Sequence, residues 1–150
     1  MEDIAIKVLH PHEVTDTDIT RLNALLTLLK SDSLGTSRSA LVGVEADGGV
    51  IISARNTAGD IVGMALLLRQ YTIEGVRIGH VESVVVDTAY RGQGVAQKMI
   101  ERILGIALHS GVVRVRLTSK PAREVANHLY RKLGFELVLT NVYEKILPRE

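Results

Sequence analysis

Two glycines one residue apart, Gly92 and Gly94, stand between an apolar run ending Val84-Val85-Val86 and a helix-like run that follows them. Glycine lets successive backbone N–H groups turn into one concavity, and the positive end of a following helix dipole reinforces it. The segment Arg91-Gly92-Gln93-Gly94-Val95-Ala96 therefore has the composition of a pyrophosphate cradle. A lone Gly-x-Gly more often only shapes a turn, so the surrounding chain must decide. A P-loop requires Gly-x-x-x-x-Gly-Lys-Ser/Thr, which the chain lacks. A dinucleotide fingerprint requires a third glycine where Gln97 stands, and an acidic residue about 20 positions on. Arg114, Val115 and Arg116 stand there instead.

Other routes to chemistry are thinner. There is no cysteine, hence no disulfide frame, no thiolate zinc site and no cysteine nucleophile, which fits a reducing compartment. His10-Pro11-His12-Glu13 offers two histidines without a third ligand at metal spacing, so no metal is expected. No Gly-x-Ser-x-Gly elbow exists for an esterase triad.

The elements that must carry the glycines follow from periodicity. Residues 4–9 read as a strand. Thr15 to Asp18 offer N-caps ahead of Leu22, Leu25, Leu26 and Leu29, which fall at i, i+3, i+4, i+7 of a helix. Residues 31–35 stop it, and 36–44 are ambiguous between a loop and a short helix. A meander follows, with strands expected at 50–56, 61–70 and 77–87 and turns at 57–60 and 72–76. A helix is expected over 94–109, a strand over 112–117 and a helix over 122–133, stopped by Gly134. Residues 135–139 and 142–147 would close the chain as a hairpin. The strand–helix–strand unit over 81–117 predicts two parallel neighbouring strands in one mixed sheet.

Composition bounds the rest. In 150 residues, 46% hydrophobic and 23% charged, one folded domain spanning 1–150 is expected. A net charge of +1 and 3% aromatic residues offer neither the basic excess nor the stacking platforms of a nucleic-acid binder. The longest apolar run, 61–68, is far short of a membrane span, and the acidic N-terminus does not read as a signal peptide. A cytoplasmic protein without nucleic-acid or membrane partners is expected.

In that setting Arg91-Gly92-Gln93-Gly94-Val95-Ala96 resembles the Gln/Arg-x-x-Gly-x-Gly/Ala motif of the GCN5-related N-acetyltransferases (GNAT). The strand ending Val84-Val85-Val86-Asp87 is similar to that family's fourth strand. Downstream, Ala126-Asn127-His128-Leu129-Tyr130-Arg131-Lys132-Leu133-Gly134-Phe135 resembles its Leu-Tyr-x-x-x-Gly-Phe signature, at the family's spacing. The resemblance is strongest over 79–147. Thr118 to Glu124 and Thr140-Asn141-Val142-Tyr143 also resemble a small bacterial-type subgroup, and Gly79-His80-Val81-Glu82 loosely resembles the glucosamine-phosphate acetyltransferases without assigning a sugar.

The resemblance implies an α/β fold with a splayed, mixed sheet of six or seven strands, flanked by about four helices, that holds acetyl-CoA between the fourth and fifth strands. Arg91, Gly92, Gln93, Gly94, Val95 and Ala96 would hold the pyrophosphate. Val84, Val85 and Val86 would pair with the pantetheine arm, one backbone N–H polarising the thioester carbonyl, and Asn127 would join the cofactor-binding set. It implies direct transfer of the acetyl group to a primary amine in a ternary complex. Tyr130, a phenol protonated at neutral pH, would act as general acid toward the departing thiolate; without the resemblance, a core position on the apolar face of its helix is the stronger reading. An amine must lose a proton before attack, and Glu82 is the first choice of base, with His80 the other. A period of two would put His80, Glu82, Val84 and Val86 on one strand face, where the two polar residues could equally be solvated or paired.

Many family members carry an asparagine seven residues before the tyrosine, where this chain has Arg123. Arg123 and Lys120 could meet CoA phosphates or an acidic acceptor, or be surface cations, and Arg114 and Arg116 suit a solvent or subunit face. The acceptor and the acyl-chain preference carry no readable motif, and a homodimer is compatible with the family. A competing reading keeps the fold and the acyl-CoA site but drops turnover, leaving a regulatory or interaction module.

Overall fold

A computed structural model describes residues 1–149. Its strands are β1 (Ala5–Val8), β2 (Val50–Arg55), β3 (Ile61–Tyr71), β4 (Arg77–Val86) and β5 (Val112–Arg116). They lie in one sheet in the order β1-β2-β3-β4-β5. The first four run antiparallel, while β5 lies parallel to β4, as the strand–helix–strand unit predicts. The helices are α1 (Asp16–Leu29), α2 (Arg38–Ala46), α3 (Val95–His109) and α4 (Glu124–Lys132). The ambiguous stretch is thus a helix, started by the Ser37 hydroxyl accepting from the Ala40 N–H. The chain divides into two compact units, Met1–Thr118 and the residues from Ser119 onward.

In the first unit the alternation of β2 and β3 supplies two apolar faces. Met64, Val85 and Ile51 join Leu22 and Leu25 of α1 and Leu41 of α2 in one buried cluster. The opposite face receives α3, whose Met99, Ile100 and Ile103 are fully buried. Gly63 permits that approach. A Cβ there would lie 3.2 Å from the Ala54 Cβ and 3.3 Å from the Met99 methyl, tighter than ordinary contact.

The start of α1 is fixed by charge as well as burial. Thr15 and Asp18 form a reciprocal capping box, with bonds of 3.1 and 3.2 Å. The same Asp18 carboxylate receives both Arg55 terminal nitrogens, at 2.8 and 3.1 Å. Asp18 is only 5% exposed, and this guanidinium holds its carboxyl below the usual range against the upward push of burial. One turn on, Arg21 pairs with Asp60 at 3.1 Å, so α1 is tied twice to the β2–β3 hairpin.

The closing hairpin expected over 135–139 and 142–147 does not form. Residues 135–149 contain no strand, so the sheet has five strands rather than six or seven. Leu137, Leu139, Val142 and Ile146 are exposed. Apolar alternation specifies the two faces of a strand, but the strand exists only where a neighbour completes its backbone hydrogen bonds.

Candidate functional site

Strand β4 changes character partway along. Opposite β3, Glu82 pairs with Leu66 and Val85 with Met64, so Ser83 and Val84 together face the single residue Ala65. This is a β-bulge. Ser83 at its centre has φ +54°, the only positive φ outside glycine among the described residues. A serine held there costs of the order of 1 kcal/mol, which the surrounding ladder must supply. Directly opposed residues share a face. Glu82 therefore lies on the side of Leu66, which packs on the cluster under α1 and α2, and His80 lies on the side of Leu68.

The bulge corrects one expectation. A strict period of two would group His80 and Glu82 with Val84 and Val86. The extra residue reverses parity, so Val85 follows His80 and Glu82 on the α1/α2 face, while Val86 pairs with Gly63 toward α3. A break in alternation was visible in the run Val84-Val85-Val86, yet such a run also suits a strand buried on both faces.

The other edge of β4 opens at the same point. Strand β5 pairs with β4 from Arg77 to His80, where Arg116 is the last partner. From Val81 to Val86 this edge has no strand beside it among the described residues, so its N–H and C=O groups can receive an extended ligand as an added strand.

That edge leads directly into the glycines. Asp87 caps a one-turn 3-10 helix (Thr88–Tyr90) through the Ala89 N–H at 2.9 Å, and the Tyr90 hydroxyl accepts from the Asn56 amide at 3.1 Å. Gly92 and Gly94 follow, with φ +75° and +79°, and a Cβ on either would meet nothing within 4 Å. Gly94 is the N-cap of α3 and brings no side chain to it. The first backbone bond of the helix is from the Lys98 N–H to the Gly94 carbonyl, 3.1 Å, so Val95 and Ala96 precede any intrahelical acceptor. Open space, a capless helix start and two left-handed glycines suit a pyrophosphate. Arg91 departs from the expectation. Its N–H closes on the Thr88 carbonyl at 3.5 Å and its Nε donates to the Val86 carbonyl at 3.1 Å, so Arg91 braces the cradle and Val86 has one acceptor already engaged. Gln93 likewise turns its amide back, 3.4 Å from the Ala89 carbonyl.

In the second unit, α4 ends in a Schellman motif. The Phe135 N–H donates to the Tyr130 carbonyl and the Gly134 N–H to the Arg131 carbonyl, both at 3.0 Å, with Gly134 at φ +92°. The Phe135 ring meets the Tyr130 ring edge-on, centroids 6.0 Å apart. The Leu-Tyr-x-x-x-Gly-Phe pattern is therefore a helix stop that clamps the tyrosine ring. Desolvation raises the Tyr130 phenol above its usual 10, with Arg123 pulling the other way. Asn127 has a structural task the sequence did not suggest. Its amide donates to the Lys120 and Pro121 carbonyls at 3.0 and 3.4 Å, clasping the loop before α4.

The first unit thus gathers Val84 to Val86, Gly92 to Ala96, His80 and Glu82 along one strand and the turn after it. Tyr130 and Asn127 belong to the second. Ser83, Asn56 and Tyr90 escaped the sequence reading, because a bulge and a long-range hydrogen bond carry no local signature.

Comparison with known proteins is consistent with this geometry. Residues 22–135 match the model of the acetyltransferase (GNAT) family. The chain is 40% identical over 79 residues to a glucosamine 6-phosphate N-acetyltransferase of Trypanosoma brucei brucei, covering 51% of this chain and 52% of that protein. It is 32% identical over 74 residues to the thialysine N-epsilon-acetyltransferase of Bos taurus, covering 49% and 44%. It spans about half the length of these curated relatives. The crystal structure of a Trypanosoma brucei acetyltransferase superposes with a TM-score of 0.79 at 27% identity, over 96% of this chain and 100% of that one. With the family match running from α1 through the glycines to Phe135, the chain belongs to the GNAT acetyltransferase family.

Proposed function

We propose that the chain, acting as one domain, is an acetyl-CoA-dependent N-acetyltransferase that passes the acetyl group directly to a primary amine. The observation that carries this reading is the free β4 edge running into a glycine-lined, uncapped helix start. A pantetheine arm pairs along Val84 and Val85, and the pyrophosphate rests on the N–H groups of Gly92 to Ala96. A backbone N–H at the bulge polarises the thioester carbonyl, where negative charge develops as the amine attacks. Glu82, or His80, takes the amine proton. The C–S bond breaks and Tyr130, a phenol neutral at pH 7 whose pKa desolvation raises further, protonates the departing thiolate. No metal enters this chemistry.

The relatives named for glucosamine 6-phosphate and thialysine both acetylate an amine, which supports the acceptor class. A cytoplasmic location and a homodimer belong to the same reading. The first is supported by the lack of cysteine, the second by the exposed Leu137, Leu139 and Val142. Titration calorimetry of the cofactor-stripped protein with acetyl-CoA, with NADPH as control, is the test. Micromolar binding of acetyl-CoA alone, about −8 kcal/mol, supports the reading, and absence of binding removes it.

A further inference from the structure

A cavity of about 130 Å³ lies in the first unit beside the bulge. Leu22 and Leu26 of α1, Leu41 and Val44 of α2, Ile51 and Met64 line it, and Ser83 brings it to the point where the β4 edge opens. Thr36 and Ser83 supply its only side-chain hydroxyls, and no charged side chain lines it. We propose that this cavity receives the hydrocarbon part of the acceptor, so that the substrate is a primary amine bearing a branched alkyl or single aromatic group rather than a sugar phosphate. This rests on the acetyl-CoA reading above.

The face of attack places the acceptor there. A thioester whose carbonyl accepts a hydrogen bond from the β4 edge lies near the plane of the sheet, as a neighbouring peptide would. The amine must then approach from above or below that plane, because its lone pair enters perpendicular to the carbonyl group. Below, the α3 face is filled by Met99, Ile100 and Ile103, all fully buried. Above, the α1/α2 face has the cavity, and the register puts Glu82 there too. The acetyl group itself stays in the plane of the sheet and does not need the cavity. In size, about 150 Å³ of apolar cavity accommodates benzene, so this one suits a branched alkyl chain or a small ring. A phosphate would find no cation in the wall.

The test uses the whole protein and four primary amines: 2-phenylethylamine, isopentylamine, ethanolamine and glucosamine 6-phosphate. Thiol release from acetyl-CoA gives kcat/KM for each, and calorimetry gives acetyl-CoA affinity. The two apolar amines are expected to exceed ethanolamine and the sugar phosphate by about 10- to 200-fold. Thr36→Phe, at the half-buried rim, is expected to erase that advantage with acetyl-CoA affinity unchanged. Leu26→Asn, which makes the wall polar, is the second variant should the first misfold. Equal or greater kcat/KM for glucosamine 6-phosphate overturns the inference alone, as does an apolar preference indifferent to folded variants. Turnover of none of the four with acetyl-CoA still bound also overturns it alone. Loss of acetyl-CoA binding by the natural protein overturns both readings.

Discussion

Residues 1–118 and residues 119–149 are held in shape by different forces. Every buried side chain among the described residues belongs to the first stretch, from Leu9 to Val112. There, packing on both faces of a sheet fixes the backbone, strongly enough to maintain Ser83 in a left-handed conformation. The second stretch buries no side chain fully and relies on local contacts: the Schellman stop at Gly134, the Asn127 side-chain clasp and the Tyr130–Phe135 ring contact. The contrast separates the tasks. Precise placement of the glycine turn and the strand edge draws on the core, whereas α4 carries the proposed general acid, Tyr130, in a stretch without a fully buried side chain.

Tyr130→Phe tests that division most severely. It keeps the ring contact with Phe135 and removes only the hydroxyl, so kcat is expected to fall by about 10²–10⁴ while acetyl-CoA affinity and urea stability hold. Unchanged turnover would make this tyrosine structural and leave another group to protonate the thiolate, whereas acetyl-CoA binding by the natural protein without any turnover would favour the non-catalytic acyl-CoA module. The pH profile sharpens the point. A raised phenol pKa means the donor is protonated below 10 and still donating at 10, so activity falls only as pH passes the raised value. The phenylalanine variant should lose that alkaline limb.

Asp18→Ala tests the first stretch. It leaves the Arg55 guanidinium without its bidentate partner and α1 without its capping box, an expected loss of about 3 kcal/mol in urea unfolding. The stability from this lowered pKa is present above the ordinary value of 3.8 and is lost as pH falls through the depressed folded value. The urea-unfolding stability of the variant should therefore depend less on pH in that window. A loss below 1 kcal/mol would show that packing alone positions α1.

Gly94→Ala should act on binding. A Cβ in the left-handed region costs about 1–2 kcal/mol, and here it also projects into open cradle space, so acetyl-CoA should bind about tenfold more weakly. Gly134→Ala is the mildest change. Frayed closure should accelerate hydrogen exchange at the Gly134 and Phe135 amides about fivefold, roughly 1 kcal/mol, without altering the protection of β3. Accelerated exchange in β3 as well would mean the two stretches do not hold their shapes independently.

Much of this was legible from local pattern. The leucines of α1, the three meander strands and α3 follow from period, caps and turns, because each is decided by residues within a few positions of one another; the parallel β4–β5 pair follows from the crossover that a strand–helix–strand unit imposes. Gly92, Gly94 and the α4 stop were legible for the same reason. The exception is instructive in β4, where His80 and Glu82 do not share a face with Val86. A bulge is a mismatch between two strands, and Ala65 on β3 is as much its cause as Ser83. The hairpin expected over 135–147 fails on the same ground, since pairing needs a partner that an alternating sequence does not name.

What the amino-acid sequence determined alone is the set of chemical parts and their order: a strand, a glycine turn, a helix start, a clamped tyrosine. These rest on backbone freedom, capping and side-chain pKa, all local properties. Tertiary structure alone decided where β4 parts from β5, which face receives the candidate bases, and that the space above the bulge is apolar. Those depend on register and packing between segments far apart in the chain, where the free energy of burial, summed over many residues, outweighs any local preference.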